Sequence, residues 1–89
     1  MMKIPPDARD AIRTLCRKWR IENRYSMTRV AELAGVSRQA VRSFELKSGH
    51  SKRMIAAYIQ LGLPMSDLIE ASGLDIFDIL EGGADNGEI

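Results

Sequence analysis

The chain has 89 residues, of which 45% are hydrophobic and 28% charged, proportions typical of one small globular domain. A single cysteine excludes an internal disulfide, and one cysteine and one histidine are too few for a zinc-ligand cluster. We therefore expect no cofactor, and without a catalytic grouping an enzyme is the least favoured class. The N-terminus lacks the apolar run of a secretory signal, and no apolar run is long enough to span a membrane. The sequence thus predicts a cytoplasmic protein without a membrane anchor.

The charge changes sign along the chain. All 13 Lys and Arg residues lie within residues 1–53, where five acids leave a net charge of +8. Residues 54–89 contain seven acids and no base, which gives −7. This asymmetry favours a front that binds a polyanion and a back that stays away from it. The alternative is a solvated charged surface whose clustering is accidental.

The first predicted helix begins near Pro6 and Asp7, because proline is tolerated in a first turn and acids favour the positive end of a helix. Apolar residues then recur at the spacing of one buried face as far as about Asn23. Cys16 lies on this face and is interpreted as a small core residue. The exposed solubilising charges of this helix are predicted to be Arg9, Arg13 and Arg17.

Two short helices follow, with only three residues between them. Ser26 or Thr28 is predicted to cap the first, and Gly35 to end it, because glycine adopts the left-handed conformation of a helix terminus without penalty. Ser37 is predicted to cap a third helix that continues to about Glu45. Helices joined by so short a turn must cross steeply, which predicts a helix-turn-helix arrangement.

The rest of the chain predicts three more helices. After a loop over residues 47–50, a fourth helix begins at Ser51 and stops at Gly62. A fifth runs from Ser66 to about Ala71, and residues 74–80 predict a sixth. The segment from Gly82 to Ile89 is expected to be a loose tail.

The stretch VAELAGVSRQAVRSFE, residues 30–45, resembles helix 2, the turn and the recognition helix of the Cro and lambda-repressor family of helix-turn-helix DNA-binding domains. The resemblance covers roughly residues 8–71. It implies an all-α fold, with a compact five-helix DNA-binding domain over residues 6–72. Residues 73–89 would then form a short acidic C-terminal helix and tail.

Four further positions bear on the resemblance. In the family, a glutamate closing the recognition helix usually pairs with an arginine near the end of helix 1, and Glu45 and Arg20 stand at these positions. We therefore expect a partly buried structural ion pair. The sequence departs from the family at Met27, where a glutamine often opens helix 2, and at Arg24, where a glycine is common.

The resemblance also implies which side chains would read bases. Arg38, Gln39, Arg42 and Ser43 match the outward contact positions of the recognition helix. Arginine can donate two hydrogen bonds to guanine, and glutamine can form a two-pronged pair with adenine. The alternative for each is an ordinary solvated side chain.

Contacts to the DNA backbone are expected around this helix. Thr28 and Ser37 lie near predicted helix N-termini and are placed for phosphate oxygens. Further positive charge close to the DNA phosphates is expected from Arg29, Lys47, His50, Lys52 and Arg53.

The sequence therefore predicts a sequence-specific regulator of transcription that binds double-stranded DNA, of the kind found as prokaryotic or phage repressors. One alternative is the DNA-binding antitoxin of a toxin–antitoxin pair, in which the acidic C-terminal segment contacts a protein partner. Another is a protein-interaction adaptor with the same fold.

A homodimer is also expected, because this family typically pairs on two-fold operators. The C-terminal segment offers more apolar surface than a short helix can hide on its own domain. The alternative is that the segment folds back over the core. The residues concerned are Leu74, Ile76, Phe77, Ile79 and Leu80.

Overall fold

The computed structural model describes residues 5–47 and 51–81, which contain α-helices and no strand. The predicted all-α class is therefore confirmed for this part of the chain, and the helix bounds agree with the expected ones to within about two residues. His50 and the predicted tail lie outside the described residues. None of the described helices is long and apolar enough to cross a membrane. The helices are α1 (Pro6–Glu22), α2 (Met27–Ala34), α3 (Arg38–Leu46), α4 (Lys52–Leu61), α5 (Met65–Ser72) and α6 (Ile76–Glu81).

Serine side chains begin three of the helices. The Oγ atoms of Ser26, Ser37 and Ser51 each accept a hydrogen bond from the backbone N–H three residues ahead, at 3.0, 3.1 and 3.2 Å. Each bond satisfies one of the donors that the first turn of a helix leaves unpaired. Ser26 therefore caps α2, and Thr28 remains an exposed residue of its first turn.

The connection between α2 and α3 is held by backbone hydrogen bonds. Gly35 has φ 71° and ψ 35°, the left-handed conformation expected of it. The N–H groups of Gly35 and Val36 both donate to the carbonyl oxygen of Ala31, at 2.9 and 3.0 Å. Ser37 caps α3 directly afterwards, so hydrogen bonds fix the backbone conformation of this turn along its whole length.

Arg24, in the turn before α2, is the one non-glycine residue with a positive φ in the described part of the chain, at 63°. This is the position at which the resembled family commonly has glycine. The conformation costs a side-chain-bearing residue roughly 1–2 kcal/mol, because Cβ approaches the following carbonyl oxygen. Hydrogen bonds on both sides hold the turn: the N–H of Arg24 donates to Ile21 and that of Tyr25 to Arg20, at 3.1 and 3.0 Å.

The core draws side chains from all six helices. Cys16 lies within it with no exposed surface, and burial raises the pKa of its thiol, with a smaller contribution from the negative charge of Glu45. It is thus the core residue that the sequence predicts. The largest fully buried side chains of the core are Ile12, Ile55, Tyr58, Leu63, Leu68 and Ile79.

Helix α6 folds back on the chain's own core instead of presenting a continuous apolar surface. It contacts α4 and α5, and its Ile79 is completely buried. Leu74, Ile76 and Leu80 are partly buried against the same core. The expectation of a free apolar segment is therefore wrong for these four residues, and only Phe77, at 70% exposed, fits it.

Candidate nucleic-acid interface

Helix α3 has two faces with different chemistry. Val41, Phe44 and Glu45 are buried against the rest of the chain. Arg38 and Gln39, in the first turn of the helix, are exposed, as is Arg42 one turn further on. The buried face fixes the helix in place, so the exposed face is presented on a rigid support.

Glu45 attaches α3 to α1 through a buried ion pair. The Nε and Nη2 atoms of Arg20 donate to the two carboxylate oxygens of Glu45 at 2.7 and 2.9 Å, and the Glu45 side chain has no exposed surface. Two parallel bonds of this kind fix both distance and orientation. The third guanidinium nitrogen, Nη1, donates to the carbonyl of Tyr25 at 2.9 Å, so Arg20 also holds the turn before α2.

Tyr58 of α4 is a third member of this cluster, a role that the sequence pattern does not predict. Its hydroxyl donates a hydrogen bond to Oε2 of Glu45. Burial, followed by the bond to Glu45, raises the pKa of Tyr58, while the same carboxylate raises the pKa of Arg20. The available signal was a tyrosine at an inward helix position, since a buried phenol needs a hydrogen-bond partner.

Arg13 is not the exposed charge that its sequence position suggested. Its Nη1 donates to the backbone carbonyl of Glu45 at 3.1 Å, and its Nη2 pairs with Asp10 at 2.9 Å. A cation there complements the negative end of α3. Arg17 is exposed as expected, and Arg9 is partly exposed.

The exposed residues of α3 have no partners within the described part of the chain. No hydrogen bond or ion pair involves the side chain of Arg38, Gln39 or Arg42 there. Arg38 and Arg42 are four residues apart, and like charges at this spacing destabilise a helix by about 0.2–0.5 kcal/mol. These side chains therefore do nothing evident for the fold.

The same three side chains border a recess between α2 and α3. Its volume is about 310 Å³, and its lining also includes Met27, the first residue of α2. The recess brings together two guanidinium groups, one amide and one thioether. Such a set can donate to oxygen and nitrogen acceptors and can also contact an apolar group.

The other predicted contact residues differ in how far they are exposed. Thr28, Ser37 and Lys47 are exposed, and Lys47 is the C-cap residue of α3. The Ser37 hydroxyl oxygen accepts the capping hydrogen bond, which leaves its O–H free to donate. Ser43 is half-buried, so it is less outward than its position in the motif indicated.

Arg29 is one of the cations expected to contact the DNA backbone. Its Nη1 lies 3.9 Å from Oε1 of Glu32, and both side chains are more than half exposed. Lys52 and Arg53 are exposed in the first turn of α4. They border a second, more open recess together with Ala56 and Leu80. Within residues 5–47 and 51–81, no three His, Cys, Asp or Glu side chains are grouped as a metal site.

Comparison of the chain with protein-family models, with curated proteins and with solved structures finds no match.

Proposed function

We propose that the chain is a sequence-specific DNA-binding regulator with a lambda-repressor-like helix-turn-helix domain, in which α3 enters the major groove. The observation that carries this proposal is the exposed surface of α3, where the side chains of Arg38, Gln39 and Arg42 form no hydrogen bond or ion pair with residues 5–47 or 51–81. Exposed side chains without such a partner are free to bind a ligand outside the molecule, and a bound anion would also relieve the repulsion between Arg38 and Arg42. Two guanidinium groups and an amide on one helix suit the acceptor-rich edges of purines.

The surroundings of α3 support the same function. Ser37 caps its N-terminus, and backbone N–H groups at a helix N-terminus attract phosphate. Thr28 is exposed in the first turn of α2, and Lys47 ends α3 at the other side. In this proposal these residues contact the sugar–phosphate backbone and set the register in which α3 reads bases.

The regulator is further proposed to act as a repressor that occupies a promoter as a homodimer. Phe77 supports a protein contact, because a phenylalanine that is 70% exposed leaves most of its apolar surface in water. A toxin or another protein could use the same surface, which keeps the antitoxin and adaptor functions as alternatives. Sedimentation of Phe77→Ser against the wild type distinguishes them: the wild type should dimerise at tens of micromolar and the variant less. A wild type that stays monomeric, alone and with DNA, would contradict the homodimer.

The primary test is selection of bound duplexes from a random DNA pool. We expect one enriched sequence, with two-fold symmetry if a dimer binds. A pool without enrichment, together with no binding at low salt, would refute the DNA-binding function. Binding at low salt without any enriched sequence would refute sequence-specific recognition.

Variants of the selected complex then separate base reading from backbone contact. Arg38→Lys keeps the charge but loses the planar two-pronged donor, so it should reduce the preference for selected over scrambled duplexes. Lys47→Ala should weaken both duplexes alike and reduce the salt slope by about one unit per lost phosphate contact. Arg17→Ala removes one charge from the exposed side of α1 and serves as the control. If Arg38→Lys weakens both duplexes equally, Arg38 contacts phosphate and not bases.

A further inference from the structure

Met27 is the one apolar residue among the described residues that line the recess between α2 and α3. The side chains of Arg38, Gln39 and Arg42, which line the recess with it, all end in hydrogen-bonding groups. Met27 is half-buried, since it packs against the core cluster while bordering the recess. It directly follows the capping residue Ser26, so its backbone is fixed at the start of α2.

We propose that Met27 is a specificity-determining residue that contacts the 5-methyl group of a thymine in the DNA bound by α3. This inference rests on the proposed DNA-binding function and deepens it. The major-groove edge of each base pair has a distinct pattern, and the thymine methyl is its main apolar feature. Because Met27 lines the same recess as Arg38 and Gln39, a base edge that enters the recess can contact the Met27 thioether.

The chemistry of the recess favours a methyl group over a polar edge at this position. A thioether donates no hydrogen bond and is a weak acceptor, so the N4 amino group of a cytosine placed against it would lose water without gaining a good partner. A methyl group loses only unfavourable hydration there. Methionine is also flexible enough to follow the surface of the base. Burial of one methyl-sized group corresponds to about a fourfold gain in affinity.

A purely structural role for Met27 makes a different prediction. If the side chain only fills space between α2 and α3, its loss weakens binding through the position of α3. The effect would then be the same whether or not the DNA has a thymine methyl group. The coupling between the side chain and the methyl group is therefore the decisive quantity.

The experiment replaces each thymine of the selected duplex by uracil, one at a time, which removes only the methyl group. Affinity is measured for the wild type, Met27→Ala and Met27→Gln. Met65→Ala is the matched control, because Met65 also begins a helix and is 47% exposed, on α5. We expect one thymine in each half-site at which uracil weakens the wild type and the control about fourfold and both Met27 variants hardly at all.

Two results would overturn the inference, and they are distinguishable. If every uracil substitution affects the wild type and the Met27 variants equally, Met27 reads no methyl group, although the DNA-binding function stands. If the wild type selects no duplex, the proposed function fails, and the inference fails with it. Met27→Gln keeps the length of the side chain, so it provides the test should Met27→Ala not fold at the binding temperature.

Discussion

Replacing Glu45 by alanine should destabilise the protein much more than removing any exposed acid. The carboxylate accepts two hydrogen bonds from Arg20 and one from Tyr58, and it has no exposed surface. Its removal leaves a buried guanidinium without a counter-charge and a buried phenol without an acceptor. Arg13 should be affected less, because it is bound to the backbone carbonyl of residue 45, which the substitution retains.

The magnitude follows from what is left unpaired. Breaking a buried ion pair by removing one partner costs about 3–5 kcal/mol. An unsatisfied buried hydroxyl adds about 1–3 kcal/mol, although a shared network makes the two contributions less than additive. Proteins of this length have a free energy of unfolding of roughly 0.05–0.15 kcal/mol per residue. For 89 residues this corresponds to roughly 4–13 kcal/mol, so the variant should lose a large share of its stability.

Urea unfolding followed by tryptophan fluorescence measures this cost. Trp19 is the single tryptophan, and its ring stacks on Tyr25 with centroids 5.7 Å apart, so its emission should report loss of packing beside Arg20. Glu32→Ala is the matched control, because Glu32 belongs to an exposed pair with N–O distance 3.9 Å, worth at most about 1 kcal/mol. If Glu45→Ala and Glu32→Ala cost the same within error, the buried cluster does not stabilise the fold as argued.

Three further predictions concern the fold. Ile79→Ala should lower the free energy of unfolding in urea by about 2–5 kcal/mol, because Ile79 is completely buried. Phe77→Ser should change it by less than about 0.5 kcal/mol, because Phe77 is 70% exposed. Equal costs would mean that α6 does not pack as described. The pKa values of Cys16 and Tyr58 are raised in the folded state above their ordinary values of 9.0 and 10.0, so the unfolded chain releases these protons first. Below about pH 9 these two groups should not affect the free energy of unfolding. Above it, the free energy of unfolding should fall with rising pH, by up to about 1.4 kcal/mol per pH unit for each group. Urea unfolding at pH 8 to 11 tests this, and Tyr58→Phe should reduce the pH dependence of stability above pH 10. Arg24→Gly removes the cost of a positive φ but increases the entropy of the unfolded chain. Thermal unfolding should therefore show that stability rises by up to about 1 kcal/mol. Arg24→Ala keeps the strained conformation and should show no increase.

The helices could be predicted from sequence because their ends depend on local chemistry. Ser26, Ser37 and Ser51 cap helices through bonds that span only three residues, and Gly35 ends α2 through its own backbone conformation. Such signals depend only on residues that are close together in the sequence. The exposed positions of α3 follow from the same periodicity, once the buried positions are known.

Interactions between distant residues were harder to predict. Tyr58 reaches Glu45 across 13 positions and Arg13 reaches it across 32, so no local pattern indicates either bond. The sequence predicts an exposed Arg13 because arginine is mostly exposed in folded proteins, and its bond to the backbone of Glu45 forms only in the assembled fold. The packing of α6 depends on whether α4 and α5 leave space for Ile79, which is a property of the assembled core.

Under the proposed DNA-binding function, the separation between the buried and the exposed residues of α3 has a consequence for how new target sequences are acquired. Val41, Phe44 and Glu45 hold the helix, while the side chains of Arg38 and Gln39 form no hydrogen bond or ion pair with the rest of the described residues. Substitutions at exposed positions of this kind usually change stability by no more than about 0.5 kcal/mol. Binding preference can therefore drift through single replacements that leave the folded population intact. Altered specificity would be selected without any need for compensating mutations in the interior.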